Sequence, residues 1–199
     1  CIDMGEGRKI IISDKDMLKP DGTLEIPDIG LGEAYLGKAS YVVYDEEDID
    51  DDLLKLVCAR KYNEPLVIAR TERFIIREMT VEDLPHSYEL YQTLSDCPYV
   101  EPLYEYEDEK AFTIKYIENM YGFFGYGLWL VFDKKTGELV ARAGVENRTI
   151  DGQNCQELGY LVKKSWQGKH VAWEVMKHIV DIAKDRFGLE ELYICLLYT

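Results

Sequence analysis

The spacing of apolar residues changes period several times along this chain, and each change marks an element. Ala172, Val175, Met176, Ile179, Val180, Ala183 and Phe187 recur at steps of three and four, which places them on one stripe of an α-helix. Gly188 follows directly and is the expected C′ residue that ends it. In front of that helix, Leu158-Gly-Tyr-Leu-Val162 is a short apolar run, so the order predicted here is strand, glycine-bearing loop, helix. Upstream, the runs Gly125 to Phe132 and Glu138 to Glu146 flank Asp133-Lys-Lys-Thr-Gly137 and predict a β-hairpin. A second turn at Asp151-Gly-Gln153 leads into a strand from Cys155 to Val162, and a final strand is predicted from Gly188 to Leu197.

Before the hairpin, Phe74-Ile-Ile-Arg-Glu-Met79 predicts a strand, and Thr80 followed by Asp83 three residues later is a helix-start signature. Leu84, Tyr88, Leu90, Tyr91 and Leu94 carry the first helix of this region; Phe112, Tyr116, Ile117 and Met120 carry a second, over about residues 109–121. Between them, Cys97 to Glu109 is an acidic, aromatic segment broken by proline. We read it first as a solvated loop, with a negative rim for a cationic amine as the alternative.

The first 72 residues predict a small α/β appendage. Lys9 to Ser13, Ser40 to Tyr44 and Pro65 to Ala69 read as strands, Lys19-Pro-Asp-Gly-Thr23 as a turn and Leu53 to Arg60 as a helix. The acidic run Asp45 to Asp52 complements the positive end of that helix. Asp14 and Asp16 are read as solvated turn residues, and no function is legible in the appendage.

Charge narrows the partners. The 199 residues carry 38 acidic and 23 basic side chains, a net charge of −15, which repels polyanions and argues against nucleic acid and anionic membrane surfaces. No run approaches the length of a membrane span and no leader pattern opens the chain, so a cytoplasmic location is expected. Cys1, Cys58, Cys97, Cys155 and Cys195 are odd in number and scattered, and His86, His170 and His178 form no cluster. Neither a disulfide framework nor a metal site is expected.

The chemistry centres on the loop. An apolar strand entering a helix through a glycine-bearing turn aims the first helical N–H groups, and the positive end of the dipole, out of the loop. That is an anion site, and a pyrophosphate suits it. Gln167-Gly-Lys-His-Val-Ala172 resembles the acyl-CoA loop of the GNAT acetyltransferase superfamily, whose pattern is Gln/Arg-x-x-Gly-x-Gly/Ala; His170 stands at the central glycine. The element order β-α-α-β-β-β-α-β extends the resemblance over residues 73–197.

The resemblance implies an α/β (α+β) fold with a central mixed, mostly antiparallel sheet flanked by helices, truncated after the fifth strand, behind the appendage of residues 1–72. It implies that acetyl-CoA is the co-substrate, with Leu161 and Val162 offering backbone groups to the pantetheine. Gln167, Gly168, Lys169, His170, Val171 and Ala172 would then face the pyrophosphate. It further implies Glu157 as the base; a strand acid paired with a neighbouring Lys or Arg is the plainer alternative. The family's general-acid Tyr sits beyond the last residue here. The expected activity is acyl-CoA-dependent N-acetylation of a primary amine on a small molecule or peptide, with a catalytically inactive acyl-CoA-binding module as the alternative. An apolar final strand would be a self-pairing edge, so a homodimer is among the expected assemblies.

Overall fold

Short apolar runs become strands only where a neighbour can pair with their backbone, and that pairing divides the chain into two units, residues 1–66 and 67–199. The structure is a computed structural model and describes residues 1–194 apart from 16, 20, 22, 23, 37 and 151. Asp16 and most of the turn predicted at residues 19–23 therefore lie outside the described residues, as does Asp151 of the second predicted turn.

The first unit contains β1 (Ile2–Gly5), β2 (Arg8–Ile10), β3 (Ile12–Ser13), β4 (Met17–Leu18), β5 (Leu24–Glu25), β6 (Ile29–Leu31) and β7 (Tyr41–Val43). β3, β6 and β7 form a parallel three-stranded sheet, and the others pair as β1 with β2 and β4 with β5. The strand predicted from Lys9 to Ser13 divides at Ile11, whose N–H donates to the Asp28 carboxylate at 2.7 Å instead of to a strand. α1 (Asp51–Lys61) opens as the charge pattern predicts, with Asp50 accepting from the Leu53 N–H at 2.8 Å and two acids in the first turn. Ile10, Ile29, Val57 and Cys58 form its core.

In the second unit, β8 (Val67–Arg70) and β9 (Phe74–Arg77) precede α2 (Leu84–Gln92) and α3 (Tyr106–Tyr116). Then come β10 (Leu128–Asp133), β11 (Leu139–Ile150), β12 (Gln153–Val162) and α4 (Val171–Phe187). The strands form one antiparallel sheet in the order β12-β11-β10-β9-β8. β8 differs from the sequence reading, which gave that run to the appendage. A tight turn closed by Thr71 N–H to Phe74 C=O at 3.0 Å folds it back onto β9, so it becomes the far edge of the second sheet.

The start of α2 follows its signature. Asp83 accepts from the Thr80 N–H at 2.8 Å and takes a bidentate ion pair from Arg77 at 2.6 and 2.7 Å. Burial pushes this carboxyl up, but the Arg77 and Thr80 donors outweigh it and hold the group below its usual range. α3 continues as wide π-helical turns through Phe124 and ends at Gly125, whose φ of +77° suits only glycine without cost.

The two faces of the sheet have different partners. Trp129, Ala143, Val145 and Leu158 share one face, and α4 covers it with Val171, Val175, Ile179 and Ala183, all buried. Trp129 stacks on Phe187 of α4 at 6.4 Å. Val180, counted in the predicted stripe, is exposed. Arg142, Glu146 and Glu157 stand on the opposite face, where Arg142 donates to the Tyr91 hydroxyl of α2 at 3.0 Å. Beyond α4, Gly188 adopts the left-handed conformation, and the Gly188 and Leu189 N–H groups reach back to Lys184 and Ala183 carbonyls at 3.1 and 3.0 Å. The strand predicted from Gly188 to Leu197 is represented in the described residues by one parallel bridge, Tyr193 to Glu157. Residues 195–199 lie outside the described residues.

Candidate functional site

β12 is an edge strand, so half of its backbone groups have no sheet partner, and the pairing identifies which half. Tyr193 donates to the Gln156 carbonyl at 2.8 Å and accepts from the Leu158 N–H at 2.7 Å, while the Lys163 N–H turns the other way to the Val140 carbonyl at 2.9 Å. Backbone direction alternates along a strand. Tyr160 and Val162 therefore present N–H and C=O groups to the open edge, and Leu161 spends its own on Arg142 of β11. This corrects one expectation. The Leu161 backbone, expected to face a ligand, faces β11 instead, and the outward backbone groups on this stretch are those of Tyr160 and Val162.

Among the described residues, the chain running on to Tyr193 touches β12 as far as Leu158. Past that point the edge opens onto a cavity of about 500 Å³. Tyr160, Leu161 and Val162 form one wall and Gln167, Gly168, His170, Val171 and Ala172 another; Leu94, Cys97 and Val100 face them from the segment after α2. Of the residues expected at the loop, Lys169 alone is not part of the wall; its ammonium lies over the Trp166 ring, 5.0 Å from the centroid. Trp166 and Trp173 also line the cavity, and sequence reasoning passed over both because neither belongs to the loop pattern.

The loop delivers donors to this cavity. Gly168 has φ +73°, and His170, the residue before α4, has φ 58° and ψ 24° with no side-chain cap on the helix. The left-handed conformation turns the chain into a 17-residue helix whose first two residues, Val171 and Ala172, line the cavity, and the first N–H groups of a helix have no partner within it. Gln167 folds back, its Nε2 donating to the Val162 carbonyl at 3.0 Å. That carbonyl is one of the open-edge groups, so a ligand pairing there displaces or shares the Gln167 bond.

Two clamps fix the loop. Glu174, in the first turn of α4, accepts from the Thr71 hydroxyl at 2.5 Å, the Arg73 N–H at 3.0 Å and the Arg73 guanidinium at 2.7 Å. Burial raises its pKa, and these donors overcome that and hold it below the usual carboxylate range. Arg73 also donates to the Lys169 carbonyl at 3.1 Å. On the other side, Glu138 accepts from Lys163 at 2.7 Å and from the Trp166 indole at 3.1 Å. The Lys163 bond, against burial and with help from Trp166, holds Glu138 below its ordinary value.

Glu157 sits one residue before Leu158, the last β12 residue bonded to the returning chain among the described residues. It is the cross-strand partner of Glu146, and Arg148 joins the two, at 3.1 Å from each carboxylate. Tyr116 donates to the other oxygen of Glu146 at 3.0 Å and accepts from the Leu128 N–H at 2.7 Å. Burial, with the Glu146 charge behind it, pushes the Tyr116 hydroxyl far above its ordinary value, Arg142 opposing; this Tyr keeps its proton. The paired acid Glu146 went unnoticed in the sequence, because the β11–β12 register that puts it opposite Glu157 is not written in either strand alone.

A second cavity, of about 390 Å³, adjoins the first: Leu94 and Val100 line both. Among the described residues no group of three or more His, Cys, Asp or Glu could hold a metal ion, and no helix is long and apolar enough to cross a membrane.

Comparison with known proteins agrees with this architecture. The solved structure of a candidate GNAT-family acetyltransferase from Bordetella pertussis superposes with a TM-score of 0.54 at 16% identity, covering 63% of this chain and 76% of that one. The ribosomal-protein-S5-alanine acetyltransferase of Vibrio fischeri gives 0.53 at 15% identity, covering 63% and 72%. At these identities the likeness is one of fold. The uncharacterized protein YkkB of Bacillus subtilis is 31% identical over 58 residues, 29% of this chain, which spans about a third of that relative's length, 34%. The acetyltransferase (GNAT) domain matches residues 73–197, and with that span covered the chain belongs to the GNAT acetyltransferase family.

Proposed function

We propose that the second unit transfers an acetyl group from acetyl-CoA to a primary amine, and that residues 1–66 are an appendage to that chemistry. The observation that carries this reading is the cavity at the open edge of β12, which ends at the uncapped N-terminus of α4. An extended amide chain with an anionic end fits both parts. The Tyr160 and Val162 backbones would pair with the chain as a strand would, and the N–H groups of residues 168–172 would receive the phosphates. Backbone donors make few demands on side chains, so a His at position 170 is compatible with the arrangement.

The co-substrate supplies an activated thioester; the protein must supply a neutral amine and a sink for its proton. Attack forms the N–C bond and breaks the C–S bond, and the amine proton has to leave as this happens. Glu157 stands on β12 three residues before Tyr160, the first strand residue of the cavity wall, and we assign it as the base. Arg148 grips its Oε2 and orients it. A non-turning acyl-CoA-binding module is the second reading, favoured by the His170 ring in the cavity wall.

The test is calorimetric titration of the 199-residue chain with acetyl-CoA, followed by CoA release with a panel of amines. Micromolar binding and a release rate that falls about 100-fold or more in Glu157→Gln, with the acetyl-CoA Kd unchanged, is the expected result. Binding without release from any amine would favour the second reading, and absence of binding would remove both.

A further inference from the structure

The second cavity offers a view of the acceptor that the fold alone does not. Its walls are Tyr88, Tyr91, Leu94, Val100, Pro102 and Leu103, which come from α2 and from the segment ahead of α3. Leu94 and Val100 are shared with the first cavity, so a molecule seated here meets whatever occupies the open edge of β12. Gln92 and Ser95 also line the cavity and, with the two Tyr hydroxyls, are its polar groups; the rest of the wall is hydrocarbon and ring. The Tyr88 hydroxyl is already committed to the Tyr104 carbonyl at 2.6 Å, and the Tyr91 hydroxyl accepts from Arg142 at 3.0 Å. Most of what remains for a ligand is apolar surface, with Gln92, Ser95 and the Tyr91 O–H as the polar groups of the wall, in a volume that suits one ring or a branched aliphatic group.

The segment that supplies much of these walls is acidic, although Arg142 meets the Tyr91 hydroxyl from the sheet and Lys164 pairs with Asp96. From Leu94 to Glu109 the chain carries Asp96, Glu101, Glu105, Glu107, Asp108 and Glu109 and no Lys or Arg. Glu101 stands between two wall residues, Val100 and Pro102. Burial, then the charges of Glu109 and Glu105, raise the Tyr88 pKa, so the negative field reaches the cavity wall. A cation carrying an apolar group satisfies both features: the rim attracts the ammonium and the walls take the carbon skeleton. A polycation or a small hydrophilic ammonium would match the rim and gain nothing from the apolar part of the walls.

Resting on the acetyl-transfer reading above, we infer that the acceptor is a primary amine bearing a compact aromatic or branched aliphatic group within two or three bonds of the nitrogen, with Leu103 and Tyr88 as its specificity-determining contacts. The same chemistry occurs in a free arylalkylamine and in a peptide whose first residue is Phe or Leu.

The experiment measures kcat/KM on the full 199-residue chain with phenethylamine, the amide of Phe-Ala-Ala, spermidine and ethanolamine, and measures the acetyl-CoA Kd separately. The expected result is at least a tenfold preference for phenethylamine or the Phe peptide over both other amines, and the ratio of those two arms separates the two sources. Leu103→Lys, which puts an ammonium into the cavity, is expected to raise KM for the preferred amine tenfold or more and to leave the acetyl-CoA Kd within twofold. Leu103→Ala, a milder change, should raise it about threefold and guards against a folding defect in the first variant. Acetyl-CoA binding with equal or better use of spermidine or ethanolamine overturns the inference while the acetyl-transfer reading stands. The same holds if acetyl-CoA binds and both Leu103 variants keep the wild-type KM, or if no amine in the panel raises CoA release. Loss of acetyl-CoA binding in the wild-type chain overturns the acetyl-transfer reading, and the inference with it.

Discussion

His170 shows how a single residue carries both strain and placement. Its φ of +58° lies in the left-handed region, where a Cβ costs roughly 1–2 kcal/mol, yet the turn into α4 requires that conformation. Asn63 and Glu6 are the other non-glycine residues at positive φ among those described, and both lie in the first unit. Replacing His170 by Gly removes the Cβ clash and the ring from the cavity wall together. We expect His170→Gly to raise the unfolding free energy by about 1 kcal/mol in urea denaturation, and to tighten acetyl-CoA binding in the same protein. Unchanged stability would mean that contacts of the imidazole offset the strain. Glu146 and Glu157 make a second comparison at this scale. Both touch Arg148, but Glu146 is also held by Tyr116, whereas Glu157 is the one assigned above as the base. Glu146→Gln should lower kcat less than tenfold where Glu157→Gln lowers it about 100-fold, and equal losses would point to a shared proton site.

At the scale of elements, the strand, loop and helix around β12 and α4 were legible because each has a local signature: an apolar run, glycine in the turn, a 3.6-residue stripe and Gly188 at the end. Partnership was not legible. The run at residues 65–69 reads as a strand, but nothing within it says that β9 is its neighbour, and so it was given to the wrong side of the unit boundary. Leu161 failed for a related reason, since an apolar strand does not reveal which of its carbonyls face a partner until the register is known. The clamp from the β8–β9 turn to α4 was likewise invisible, because Thr71 and Arg73 lie about a hundred residues from Glu174. That clamp should have a pH signature. The Glu174 carboxyl is held below its ordinary 4.5 in the folded protein, so in the acid range the unfolded chain binds more protons than the folded one. Its contribution is complete above that ordinary value and is lost as pH falls through the lower folded value. Glu174→Gln should therefore cost about 1–2 kcal/mol at pH 7. The difference from wild type should shrink when chemical denaturation is repeated at pH 3, and a difference independent of pH would show that the carboxylate charge plays no part.

At the scale of the whole molecule the charge of −15 would act on the two proposed substrates in opposite senses. An ammonium is drawn toward the acidic segment between Leu94 and Glu109, whereas an anionic co-substrate meets a repulsive field everywhere except at the loop, where the α4 N-terminus and Lys169 supply positive potential. The basic residues nearby give little help, because Lys163 is paired with Glu138 at 2.7 Å and Lys164 with Asp96 at 2.6 Å. Screening should separate the two. The Debye length falls from about 10 Å at 0.1 M salt to about 3 Å at 1 M, which removes the steering of a cation across a solvated rim but barely touches hydrogen bonds inside a loop. Raising NaCl from 0.05 to 0.5 M should then lower kcat/KM for a cationic amine several-fold, mostly through KM, while the acetyl-CoA Kd moves less than threefold and, if it moves, tightens. A flat amine response would show that the acidic segment is not felt at the cavity, and a salt-weakened acetyl-CoA complex would show that surface lysines, rather than the backbone of the loop, hold the phosphates.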